Sequence, residues 1–125
     1  MKHLGMHLNT EAFTRIAVGE KTIEYRLNDD KRSGLEIGDR ITFFELPNDS
    51  ARIEVVVTDL KRYPDLLSMY EVTFDRDFKD TYSTPQDVVN DTNYYSEEDV
   101  RKYGCVAIYF KRLSSNNLID GPAHE

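Results

Sequence analysis

The sequence predicts a mainly β protein with short helices (α+β), folded as a small β-barrel. Two observations lead there. Five or six short segments alternate apolar and polar residues at the period of a half-buried strand, and short helix signals interrupt them. The chain has 125 residues, 39% of them hydrophobic, enough to fill one core and hardly two. A compact barrel with helical decoration suits such a chain better than a parallel α/β sheet, and neither an internal repeat nor an inter-domain linker is visible. One domain is expected over residues 1–113, followed by a flexible tail over 114–125, because SSNNLIDGPAHE has too little apolar content to pack.

The first strand is read over His3–Leu8, with Leu4, Met6 and Leu8 on one side and His3, Gly5 and His7 on the other. Thr10 then suits a helix N-cap. Phe13, Ile16 and Ala17 recur at helical spacing and Gly19 supplies a left-handed stop, so a helix is expected from about Glu11 to Val18. From Thr22 to Leu27 the period returns to two. Residues 28–34 are rich in turn formers, and Gly38-Asp39 suits a tight turn into a strand over Arg40–Leu46. Past the loop at Pro47-Asn48-Asp49-Ser50, Arg52–Leu60 alternates through Ile53, Val55 and Val57 and forms a hairpin with the preceding strand. Tyr63, Leu66, Leu67 and Tyr70 fit a short helix begun by Pro64, whereas Asp75–Ser83 has no clean period and reads as a surface excursion. Thr84-Pro85 starts another short helix. Ser96 caps a further one, with Glu97, Glu98 and Asp99 in the first turn where the helix dipole favours negative charge, and Gly104 ends it. Cys105–Lys111 is the final strand, with Val106, Ile108 and Phe110 inward.

Composition excludes several classes. The net charge is −7, from 16 basic and 23 acidic residues, so a broad basic surface for duplex DNA is not expected. Residues 1–62 carry 10 basic and 11 acidic side chains (−1) and residues 63–125 carry 6 and 12 (−6), so any anion-binding cleft is expected in the first half. The single cysteine, Cys105, allows no internal disulfide and is expected to pack in a strand. His3 and His7 share a strand side, but no third ligand can be named, and neither a metal nor a cofactor is expected. No apolar run reaches about 18 residues and the N-terminus lacks the pattern of a signal peptide, so a cytoplasmic protein without membrane association is expected.

The informative segment is Gly19-Glu20-Lys21-Thr22-Ile23-Glu24-Tyr25-Arg26. A helix-ending glycine places Lys21 at the mouth of a strand with Thr22, Glu24 and Arg26 on one side and Ile23, Tyr25 and Leu27 on the other. The apolar side belongs to the core, so the polar side can turn to a cleft where a lysine, a hydroxyl, a carboxylate and a guanidinium converge. An exposed strand bearing a cross-strand ion pair fits the same spacing, and spacing alone leaves both open.

Gly19, Lys21, Glu24 and Arg26 match the GxKxxExR motif, and Leu27-Asn28-Asp29, Ile37-Gly38-Asp39, Tyr94-Tyr95-Ser96 and Tyr103-Gly104-Cys105-Val106 follow it in a familiar order. On these residues the chain resembles the ASCH family over about residues 2–112. The resemblance implies a PUA-like barrel with a cleft beside the motif strand that binds RNA, some members being ribonucleases or amidohydrolases of acylated cytidine. In that amidohydrolase branch a threonine stands at the position of Glu24, and catalysis is assigned to the motif lysine, that threonine and a glutamate near the late helix. Lys21 matches the first; Glu24 departs from the second.

The expected partner is therefore single-stranded RNA or a nucleoside or nucleotide, held by Lys21, Thr22, Glu24, Arg26, Tyr94 and Tyr95, the tyrosines by stacking, although adjacent tyrosines equally suit packing. The alternative is a small metal-independent hydrolase, an amidohydrolase on N4-acylated cytidine or a ribonuclease, with Lys21 and Glu24 as its catalytic pair. Asp91, Glu97, Glu98 and Asp99 are candidates for a second carboxylate, although the last three also suit a helix N-terminus. Lys31, Arg32 and Arg40 could track a phosphate backbone or simply be solvated. A protein-interaction domain using the acidic second half is a third reading.

Overall fold

The structure, a computed structural model, describes residues 1–92 and 94–113; the tail expected over 114–125 lies outside the described residues. The elements run β1 (His3–Leu8), α1 (Thr10–Ala17), β2 (Ile23–Leu27), α2 (Asp30–Ser33), β3 (Arg40–Glu45), β4 (Arg52–Tyr63), α3 (Leu66–Asp77), α4 (Pro85–Asp91), α5 (Glu97–Tyr103) and β5 (Cys105–Arg112). The strands form one mixed sheet in the order β1-β3-β4-β5-β2. β1 pairs in parallel with β3, His3 opposite Arg40, and β3 and β4 form the expected antiparallel hairpin with Ile41 opposite Val55. A mixed five-stranded sheet with several short helices, the expected α+β class, is thus what folds.

Two compact units divide the described residues, those of 1–24, 35–60 and 108–113 in the first and those of 25–34 and 61–107 in the second. In the first unit the strand alternation buries Met6 and Leu8 of β1, Ile41 and Phe43 of β3, and Ile53, Val55 and Val57 of β4. Phe43 packs a tilted ring against Phe110 with centroids 5.3 Å apart. The buried Thr42 hydroxyl is satisfied by His3 Nε2 at 2.7 Å. The second unit is built on α3, α4 and α5. Leu66, Met69, Tyr70 and Val88 are buried there with Cys105 and Val106, and Tyr25, Tyr70 and Phe78 form a mutual aromatic cluster with centroids 5.1–5.7 Å apart.

Several boundaries differ from the expectation, each for a physical reason. Asn9, not Thr10, caps α1, its side chain accepting from the Ala12 N–H at 2.9 Å, and asparagine is the stronger cap of the two. The helix expected to start at Pro64 starts at Leu66, because Asp65 accepts from both the Ser68 N–H (2.8 Å) and the Ser68 hydroxyl (2.7 Å). It also runs on to Asp77, through the first residues of the supposed excursion. Its buried stripe, Leu66, Met69, Tyr70 and Thr73, keeps helical spacing, but the fourth member is polar and is buried by donating its hydroxyl to the Met69 carbonyl at 3.0 Å. The turn-rich stretch after β2 contains the short α2, capped by Asp29.

Candidate functional site

The site begins with how α1 ends. Gly19, at φ 86°, occupies the left-handed position. Its N–H donates to the Ile16 carbonyl at 3.1 Å while the Glu20 N–H reaches the Arg15 carbonyl at 2.9 Å, a Schellman pair that closes the helix. The Lys21 N–H also donates to the Arg15 carbonyl, at 3.1 Å. Lys21 is therefore fixed by backbone at the entrance of β2, as the sequence required of the motif glycine. A Cβ at Gly19 would meet nothing within 4 Å, so backbone conformation, not space, demands glycine there.

Lys21 turns its ammonium onto Glu24, Nζ to Oε1 3.2 Å, and donates to the Ile23 carbonyl at 2.8 Å. The pair is withdrawn from water: the lysine side chain is 14% exposed and that of the glutamate 8%. The pairing of β2 with β5 explains the burial of a carboxylate. The Phe110 N–H donates to the Thr22 carbonyl (3.1 Å) and the Asn28 N–H to the Gly104 carbonyl (2.9 Å), two bonds of a single antiparallel register. That register sets Ile108 opposite Glu24, and opposed residues project to the same side of a sheet. Glu24 and Thr22 thus share a side with Ile108 and Phe110, both buried, while Ile23 is buried on the other. The face expected to be wholly polar and open is, at Glu24, closed over and neutralised by Lys21.

The remaining candidates fall into place one by one. Thr22 is half-buried, its carbonyl bonded to Phe110. Arg26 lies two residues beyond Glu24 on β2 and is half-buried. In the second unit Tyr94 is 80% exposed and meets Tyr95 edge-on, centroids 6.5 Å apart. Glu97, Glu98 and Asp99 fill the first turn of α5, where Ser96 accepts from the Asp99 N–H at 3.0 Å, and Asp91 accepts from the Tyr82 hydroxyl. Arg32 is held by Asp29 through Nη1 at 3.1 and 2.9 Å, Lys31 is exposed, and Arg40 is half-buried. His7 faces Asp49 at 3.4 Å, whereas His3 is engaged by Thr42. Among the described residues no three His, Cys, Asp or Glu side chains gather in a way that could hold a metal. Cys105 packs in β5 as expected, and burial pushes its thiol up to about 11. Burial likewise pushes the Tyr70 hydroxyl up to about 12, against the Thr92 bond that works the other way.

One residue near the motif escaped the sequence reading. Arg112, the last residue of β5, donates through Nη1 to the carbonyl of Ala17 at the end of α1. Nothing local marks it, since it is one cation after another at a strand end.

No curated protein matches the chain. Among solved structures it is similar to the hypothetical protein PH0355, with a TM-score of 0.74 at 28% identity over 89% of this chain and 99% of that one. It is similar also to protein PF0455 from Pyrococcus furiosus, with a TM-score of 0.67 at 28% identity over 89% and 97%. The ASCH protein of Zymomonas mobilis shares the fold at a TM-score of 0.54 and 17% identity, over 89% of this chain and 70% of that one. The family model of the ASCH domain matches residues 6–114, almost the whole of the described chain. With that match joined to the shared small-barrel fold, this chain belongs to the ASCH domain family.

Proposed function

We propose that the chain binds RNA or a nucleoside in the cytoplasm and reads the polar edge of a base with the Lys21–Glu24 pair. The observation that carries this reading is the pair itself, an ammonium and a carboxylate 3.2 Å apart on the motif segment and largely withdrawn from water. Such a pair is costly to bury, and an apolar pair of similar size would serve stability as well or better, so its presence on the motif segment argues for recognition. Its charges cancel, so phosphate gains little from it. A neutral edge offering a donor beside an acceptor, as the amino and ring-nitrogen groups of cytosine or adenine do, matches a donor beside an acceptor.

Among the described residues no helix is long and apolar enough to cross a membrane. Arg26, Thr22 and the exposed Tyr94, with Tyr95, are proposed as further contacts, each to be tested by its own substitution. Stacking on a tyrosine is worth roughly 1–3 kcal/mol per base.

The test is a titration followed by amide NMR at low salt, using cytidine, adenosine, uridine and a short single-stranded RNA. Shifts centred on Lys21 and Glu24, abolished in Lys21→Met, are expected. Absence of any shift at millimolar nucleoside and saturating RNA overturns the reading. The same samples, followed for release of acetate from N4-acetylcytidine and for RNA cleavage, decide the hydrolase alternative: turnover lost in Lys21→Met would make Lys21 and Glu24 a catalytic pair and not a reading pair.

A further inference from the structure

The last carbonyls of a helix have no partner within it, and at α1 each can be followed to its donor. Thr14 accepts from Val18 (3.0 Å), Ile16 from Gly19 (3.1 Å), and Arg15 from both Glu20 (2.9 Å) and Lys21 (3.1 Å). Ala17, the last helical residue, takes its donor from 95 residues away, the guanidinium of Arg112. Arg112 ends β5, two residues beyond Phe110, whose N–H donates to the Thr22 carbonyl just after Lys21. Its Nε is enclosed, with no acceptor among the described residues. A cation at a helix C-terminus is favoured by the helix dipole as well as by the bond.

We infer that Arg112 is a positioning residue for Lys21, locking the α1–β2 turn so that the ammonium meets Glu24. It touches no ligand; it acts through the turn. The inference rests on the proposed reading only for its consequence in binding. Its structural content, that the Arg112 bond to Ala17 holds the backbone of Glu20 and Lys21, is tested without a ligand.

The experiment is residue-resolved amide hydrogen exchange on Arg112→Gln and Arg112→Lys, with nucleoside and RNA binding measured alongside. In Arg112→Gln the protection of the Glu20 and Lys21 amides should fall about tenfold or more, while that of Val57 in β4 stays put; Arg112→Lys, which keeps the charge and one donor, should lose less. Should Arg112→Gln fail to fold, the lysine variant alone must show a selective loss at those two amides. Unchanged protection there, or a uniform loss across the sheet, overturns the inference whatever binding does. If the wild type binds, affinity should drop roughly tenfold in Arg112→Gln, and the double variant with Lys21→Met should bind no more weakly than Lys21→Met alone, because Arg112 acts through that one group. Additive losses would also overturn it. A wild type that binds nothing removes the binding proposal and leaves the exchange result to decide the role of Arg112.

Discussion

Lys21→Met removes one charge from a pair that water hardly reaches, and its effect on stability can be worked from the geometry. At 3.2 Å and an effective dielectric near 20, the Coulomb attraction is about 5 kcal/mol. Losing it takes the Lys21 ammonium away from a Glu24 carboxylate that is 8% exposed in its side chain and shares a side of the sheet with Ile108 and Phe110. Breaking one side of a buried pair typically costs about 3–5 kcal/mol, and the 14% exposure of Lys21 places this pair near the lower bound, about 3 kcal/mol. With a urea m-value of about 1.5–2 kcal/mol/M, the unfolding midpoint should fall by roughly 1.5–2 M. Glu24→Leu alone strands the lysine less severely, since Lys21 retains the Ile23 carbonyl at 2.8 Å and can swing outward. The double variant Lys21→Met/Glu24→Leu should return to within about 1 kcal/mol of wild type, giving a coupling energy of roughly 2–3 kcal/mol in the cycle. Urea unfolding of the four proteins measures it. A loss under about 1 kcal/mol in Lys21→Met, the size typical of exposed pairs, or an additive cycle, refutes the reasoning.

Asp39 is 2% exposed and accepts from the Lys2 N–H at 2.7 Å and the Glu36 N–H at 2.8 Å; these bonds, that of Lys2 first, with the Lys2 ammonium at 3.6 Å, hold its carboxyl below the usual value of 3.8. Its stabilisation is present above that unfolded-state value and lost as pH falls through the folded one, so Asp39→Asn should cost about 1–3 kcal/mol at neutral pH and flatten the acid limb of a stability–pH curve. Gly104 has φ 73°, and a Cβ there would sit 2.7 Å from the Tyr63 carbonyl oxygen, so Gly104→Ala should cost at least about 2 kcal/mol in thermal unfolding. Cys105, pushed up to about 11 by burial, should resist iodoacetamide in the native state at pH 8 and react only on unfolding. Cys105 and Tyr70 both keep their protons when folded at pH values where the unfolded chain sheds them, so stability should decline from about pH 9 upward as the unfolded thiol and then the unfolded phenol ionise.

What the sequence made legible is what depends on neighbours along the chain. The alternation in His3–Leu8, the Ile53, Val55 and Val57 face of the hairpin, the Ser96 and Thr84 caps and the stop at Gly19 are local features, and each reappears in place. The cap of α1 and the length of α3 escaped for the same local reason, since Asn9 and Thr73 are polar residues in a capping and a buried position that composition does not advertise. The burial of Glu24 belongs to a different class. Alternation assigns a residue to one of two sides, but which side is closed over depends on the opposing strand, and that strand is β5, some 80 positions later. Ile108 and Phe110 looked inward from their own sequence, and only the register reveals that Glu24 shares their side. Arg112 was invisible for the same cause, since its partner is a carbonyl and backbone atoms leave no trace in a side-chain pattern.

The charge of the protein and the neutrality of the pair bear on each other. A chain of net charge −7 repels a polyanion at long range, so affinity for RNA drawn from the phosphate backbone would have to overcome that field. Reading a base through a self-neutralised lysine–glutamate pair avoids the contest, because an uncharged edge is indifferent to net charge. The two routes separate in one measurement. Backbone binding weakens as salt is added, by close to one unit of slope in log K against log salt per phosphate engaged. Base reading by Lys21 and Glu24 should leave the affinity for a free nucleoside nearly flat with salt, and for a short RNA should even relieve a little of the long-range repulsion. A slope steeper than about −2 for RNA would mean that cations such as Lys31 and Arg40, and not the paired Lys21, carry the binding.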